Sequence, residues 1–247
     1  MPPWTLALLS GGIGGATLLI GAALAWFVRV PPKLTAAISA FGAGVLISAL
    51  AYELVQEAAE DGGLLPTILG TLAGAVVFVG ADALLTRAGA GNRTSTRGSG
   101  GGAGAAIAAG ALIDGIPESI VLGLSVAQGG AGAAISVPIV AAVAISNLPE
   151  GLSSTVGMKI DGRSARYVFT VWGGIAALSA AAALVGFLVF ATAPGAVVAF
   201  VTTVAAGAIL AMISNTMIPE AFDRDDVLTG LYAVLGFVTA FALHSVS

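Results

Sequence analysis

The chain has no cysteine, one histidine and little charge, with Lys+Arg 9 and Asp+Glu 13 in 247 residues. Without cysteine there is neither a disulfide nor a thiolate metal ligand. With its one imidazole at His244, near the end of the sequence, the chain can build no His-Glu-x-x-His zinc motif and no serine-histidine pair at depth. No basic domain of useful size exists, which excludes nucleic-acid binding. We therefore expect a protein that is not an enzyme.

What is present is apolar surface. The residues are 57% hydrophobic and 9% charged, and the mean hydropathy is +1.02. A soluble domain carries about 25% charged residues, so the composition is that of an integral membrane protein whose first partner is the lipid bilayer. Glycine is abundant, at 35 residues, and lies mostly inside apolar runs, where small side chains let helices approach closely. Low charge and the lack of a Gly-X-Y period argue against disorder and collagen. The opening MPPWTLALLSGG has no basic region before its apolar run, which continues past signal-peptide length, so it reads as a retained first helix.

A membrane-spanning helix needs roughly 20 mostly apolar residues. Segments of this kind run from about Trp4 to Val28, Leu34 to Glu57, Leu64 to Leu85, Ala103 to Ala127, Ala131 to Met158, Ala165 to Ala191, Ala196 to Phe222 and Val227 to Val246. They predict an all-α protein of eight transmembrane helices forming one domain, 1–247. The basic residues support that number. Arg29 and Lys33, then Arg87, Arg93 and Arg97, then Lys159, Arg163 and Arg166, then Arg224 all fall in alternate loops. By the positive-inside rule those loops are cytoplasmic. This predicts a multi-pass protein of the plasma (inner) membrane with both termini outside the cytoplasm. Residues 86–102, which include GNRTSTRGSGGG, read as a flexible cytoplasmic loop.

Helices two and seven echo each other. GVLISALAYELVQEA, Gly44 to Ala58, lies without gaps on GAILAMISNTMIPEA, Gly207 to Ala221, with Gly, Glu and Ala coinciding at 44/207, 57/220 and 58/221. By the helix order these segments cross in opposite directions, the pattern of an inverted repeat, which transporters use.

Chemistry is concentrated in two segments, ALIDGIPESIVLG from Ala111 to Gly123 and AISNLPEGLS from Ala144 to Ser153. Each sets a Pro-Glu pair, Pro117-Glu118 and Pro149-Glu150, in the middle of an apolar span. Asp114 precedes Glu118 by four residues and Ser146 precedes Glu150 by four, so each pair lies on one helical face. Asn147 follows Ser146. Carboxylates at this depth are costly and mark function. Pro117 cannot donate to the carbonyl of Ile113, nor Pro149 to that of Ile145, so two oxygens are released beside the acids. Clustered acids that cannot all stay ionised would be relieved by a divalent ion. The site is thus expected to hold a cation between helices four and five, with no prosthetic group required.

These segments resemble helices four and five of the ZIP (Zrt/Irt-like) metal transporters, whose motif has the form His-Asn-x-Pro-Glu-Gly in both helices. The resemblance extends to eight helices in a 3+2+3 arrangement with an inverted repeat, outward termini, a long loop after helix three and the acidic end of helix seven. It implies transport of a zinc-class divalent cation, zinc or iron, while the residues of this chain also permit manganese. It further implies that Glu118 and Glu150 bind the metal. Asp114 and Ser146 stand where the motif histidines are expected, and Gly115 replaces the asparagine of helix four. Helix six, Ala165 to Ala191, lacks the acid found in many members, Ser179 being its nearest polar residue, which leaves a second metal position without a ligand. Replacing two imidazoles by a carboxylate and a hydroxyl moves the site toward harder cations. The same loss admits another reading, a non-transporting ZIP-like metal sensor or structural membrane protein.

Further polar residues mark a pathway. Glu53 and Glu57, followed by Glu60 and Asp61, read as an acidic entrance, and Asn215 and Glu220 on helix seven as the other end of the route. His244 reads as a lone surface imidazole. Small-xxx-small spacings, such as Gly11 to Gly15 and Gly70 to Gly74, suit tight helix packing or a homodimer.

Overall fold

Prolines and glycines decide where the helices start and stop. In the computed structural model, residues 1–85, 87, 103–129, 132, 134–224 and 227–246 are described, without the side chains of 85, 103–109, 113, 114, 224 and 246. The loop 86–102 therefore lies, except for Arg87, outside the described residues. Within them the chain forms eight helices. Helix α1 spans Pro3–Phe27. Helix α2 runs from Pro32–Ala49 through Leu50–Gln56 to Glu57–Gly62. Helices α3, α4, α5 and α6 span Leu64–Leu85, Ala103–Gln128, Val137–Ile160 and Ala165–Phe190. Helix α7 runs from Gly195–Met212 through Ile213–Met217 to Ile218–Arg224, and α8 spans Thr229–Val246. Seven of these are long and apolar enough to cross a membrane, and the shorter α8 is equally apolar. The architecture is that of a multi-pass membrane protein.

Proline occupies the first turn of α1, α2 and α5, where its missing N–H costs nothing. It also corrects the expected start of α5. That helix begins at Val137 instead of near Ala131, because Pro138 sits in its first turn and Ser136 Oγ accepts from Ile139 N at 3.4 Å. Gly63, with φ 94°, and Gly162, with φ 74°, take the positive φ that glycine tolerates, just past the ends of α2 and α5.

The expected helix breaks are also relocated. Helices α4 and α5 stay α-helical through Pro117 and Pro149. The irregular turns lie in α2 and α7, where Leu50–Gln56 and Ile213–Met217 are π-helical. In α7 the cause is visible: Pro219 has no N–H for the carbonyl of Asn215, so the ladder widens just before it. The two π segments fall at matching places in the echo between Gly44–Ala58 and Gly207–Ala221.

Backbone-to-backbone seams join the helices, and they recur in pairs. A Cβ on Gly44 of α2 would run into the Ala233 carbonyl of α8, and one on Gly207 of α7 into the Thr71 carbonyl of α3. In return, Gly236 of α8 abuts the Phe41 carbonyl and Gly74 of α3 the Val204 carbonyl. The other four helices repeat the arrangement. Gly21 of α1 meets Leu148 of α5 while Gly151 meets Leu18. Gly186 of α6 meets Ile120 of α4 while Gly123 meets Ala183. Helices α1 and α6 close the set through Gly11 against Ala180 and Gly15 against Ala176.

Two apolar cores fill the remaining space. One, with Leu46, Leu50, Val143, Ile209 and Ile213, lies among α2, α5 and α7. The other, with Leu18, Met158, Val168, Trp172 and Ile175, joins α1, α5 and α6. Trp172 is fully buried and its indole N–H donates to Thr155 Oγ1 at 2.9 Å.

Candidate metal centre

Glu118 and Ser146 are brought together from α4 and α5. Both are buried, at 2% and 4% relative exposure, and Ser146 Oγ donates to Glu118 Oε1 at 3.3 Å while also bonding the Val143 carbonyl at 2.9 Å. A carboxylate this deep in apolar surroundings carries a large desolvation penalty.

Glu118 stands five residues before Gly123, which meets Ala183 of α6, and Ser146 five before Gly151, which meets Leu18 of α1. Leu122, one helical turn beyond Glu118, is fully buried. Glu150 itself is half-buried, four residues beyond Ser146 on α5.

Asn147 is also buried, and its Nδ2 donates to the Gly14 carbonyl of α1 at 3.0 Å, so the amide ties α5 to α1. The side chain of Asp114 lies outside the described residues. Among those described, no three acidic or imidazole side chains gather closely enough to hold a metal ion. The Ile145 carbonyl released by Pro149 faces Gly42 of α2, where a Cβ would lie 3.3 Å away.

On one side of Glu118 is a small cavity walled by Leu46, Ala49, Leu50 and Leu54 of α2, Val121 of α4, Ile139, Ala142 and Val143 of α5 and Ile209 of α7. Among its described lining residues Glu118 is the one ionisable group. A second small cavity, between α4 and α6, is lined by Gly115, Ser119 and Ser179 with aliphatic neighbours. Among the described residues that line it none is acidic, and Ser119 Oγ donates to the Gly115 carbonyl at 2.6 Å. A Cβ on Gly115 would meet only Ser179 Oγ, at 4.0 Å.

The residues expected along the pathway are spread over both interrupted helices. Glu53 is buried within the π segment of α2, and Glu57 is exposed just beyond it. Asn215 is exposed within the π segment of α7, and Glu220 is half-buried after it. His244 corrects the reading of a lone surface imidazole. Its Nδ1 lies 2.6 Å from Glu53 Oε1, and its ring stacks on Tyr52 at 5.6 Å. Sequence reasoning missed this because 191 positions separate the partners, and a tail histidine carries no local signal of what it packs against.

No family model matches the chain. The chain is similar to an Arabidopsis thaliana protein named "Putative zinc transporter", with 27% identity over 218 residues. That match takes in 88% of this chain and 35% of the plant protein, so the chain spans about a third of the length of that relative.

Proposed function

We propose that the protein carries a divalent metal ion of the zinc class across a membrane, through a site between α4 and α5. The observation that carries this reading is the buried Glu118 carboxylate, met by Ser146 from the neighbouring helix in mid-span. Glu118 and Glu150 are the principal ligands, Asp114 and Ser146 complete the set, and Asn147 contributes by holding α5 against α1. With carboxylates in place of imidazoles, iron and manganese compete at such a site. Similarity to a protein named as a zinc transporter supports the zinc class.

The fold is read as ZIP-like, a 3+2+3 arrangement with an inverted repeat. The paired glycine seams and the twin π segments support it. The seams pair α2 with α8, α3 with α7, α1 with α5 and α4 with α6, and on this reading α1, α4, α5 and α6 form one group and α2, α3, α7 and α8 the other. Movement of one group against the other would expose the site alternately to the two sides. In the orientation set by the basic loops, with both termini outward in the plasma membrane, the aliphatic cavity lies on the outer side of Glu118. It closes the site to water from that side.

Metal uptake into liposomes tests the proposal. Glu118→Ala and Glu150→Ala abolish flux while leaving an intact, monodisperse protein, and normal uptake in both variants removes the proposal.

A further inference from the structure

We propose a second cation site, distinct from the one at Glu118: Glu53 and His244 form a capture pair for a zinc-class divalent ion. It takes its place on a transport route from the function proposed above, but the binding itself does not depend on that function.

The pair has the chemistry of a ligand set. A carboxylate oxygen from α2 and an imidazole nitrogen from α8 converge to 2.6 Å, and a small outward movement lets both bind one ion at the 2.0–2.2 Å bonds usual for zinc. The ion replaces the proton between them: in a neutral imidazole that proton moves to Nε2, and in an imidazolium it leaves to solvent. One nitrogen and one oxygen donor favour a borderline cation over magnesium or calcium. Water fills the remaining positions, as suits a site that must also release its ion.

Its surroundings fit capture better than simple fastening of two helices. Glu53 is 9% exposed whereas His244 is 32% exposed, so the imidazole opens the pair to solvent while the acid stays in the protein. The Tyr52 ring, itself packed at 5.2 Å from Phe241, stacks on the imidazole and fixes its plane, the kind of support that ligating histidines receive. Glu57 is near enough to feel both members of the pair, and Glu60 and Asp61 add to the same field, which concentrates cations at this end of α2. The site also adjoins the route. Leu50 and Leu54, on the same π segment as Glu53, wall the cavity that ends on Glu118.

His244 is the one histidine in the chain, so a histidine-labelled sample gives a single imidazole signal. We expect zinc, added to the full-length protein in lipid nanodiscs, to shift the ¹⁵N resonance of Nδ1 at concentrations that support uptake. Glu53→Gln should raise the zinc concentration needed by about tenfold or more, and Glu118→Ala should leave the shift unchanged. A resonance that ignores zinc overturns the capture pair and leaves the transport reading standing. A shift that persists while uptake stays normal in both Glu118→Ala and Glu150→Ala removes the site proposed between α4 and α5 and keeps the pair.

Discussion

Individual residues set the chemistry and its limits. Gly115 and Ser179 line the small notch between α4 and α6, where none of the described lining residues is acidic. Adding Asn at position 115 and Glu at position 179 is expected to increase bound metal by one equivalent, counted by elemental analysis of purified protein. Unchanged stoichiometry would mean that the notch cannot serve as a ligand position. The Trp172–Thr155 bond belongs to the same scale. Thr155→Val leaves a buried indole N–H unsatisfied and is expected to destabilise the protein by about 1–3 kcal/mol. Trp172→Phe removes the donor and its partner's task together, so the double variant should be no worse than Trp172→Phe alone in a thermal melt. The meeting of Glu118 and Ser146 was legible in sequence, because acids and hydroxyls close to proline are rare in apolar spans. The contact of His244 with Glu53, and the turn of Asn147 toward Gly14, were illegible because each is made by packing between distant helices.

Helices behave according to their terminal residues more than their interior prolines. Starts and stops were read to within a few residues wherever proline, glycine or aspartate marks them. The late start of α5 was missed, although Ser136 and Pro138 carry the signal. The interior is harder to read. An α-helical wheel keeps its phase along the whole segment, but each π turn takes in an extra residue and rotates everything beyond it. Glu57 and Glu220, which follow the π segments, therefore do not stand where four-residue spacing from Glu53 or Thr216 would put them. Pro219→Ala supplies the missing N–H and should narrow the Ile213–Met217 turn. We expect folding to survive and metal uptake to slow, because Glu220 swings away from its present side. Equal uptake by the variant and the parent would show that the wide turn is only a by-product of the proline.

The whole molecule is held by reciprocal close approaches, and glycines divide accordingly. Gly80 has open space around the position of a Cβ, so Gly80→Ala should stabilise its helix by about 0.5–1 kcal/mol. Gly44→Ala and Gly207→Ala should be strongly and similarly destabilising, since each added methyl meets a carbonyl of the neighbouring helix. Melting temperatures of the three variants in one detergent decide the matter. A tolerated Gly207→Ala beside a damaging Gly44→Ala would break the equivalence of the two halves. The echo between Gly44–Ala58 and Gly207–Ala221 and the small-xxx-small spacings at Gly11–Gly15 and Gly70–Gly74 were the traces of this order in the sequence. The seams at Gly21, Gly151, Gly123 and Gly186 were not read, because a glycine facing a backbone oxygen has no side-chain pattern to detect.

Seams of this kind also leave no gap for an acyl chain or a detergent tail. Delipidation should therefore spare the contacts within each group of helices and attack the side-chain interface between the groups. In hydrogen–deuterium exchange at rising detergent, the amides around Gly151 and Gly123 should stay protected after those facing the Leu50–Val143 core have begun to exchange.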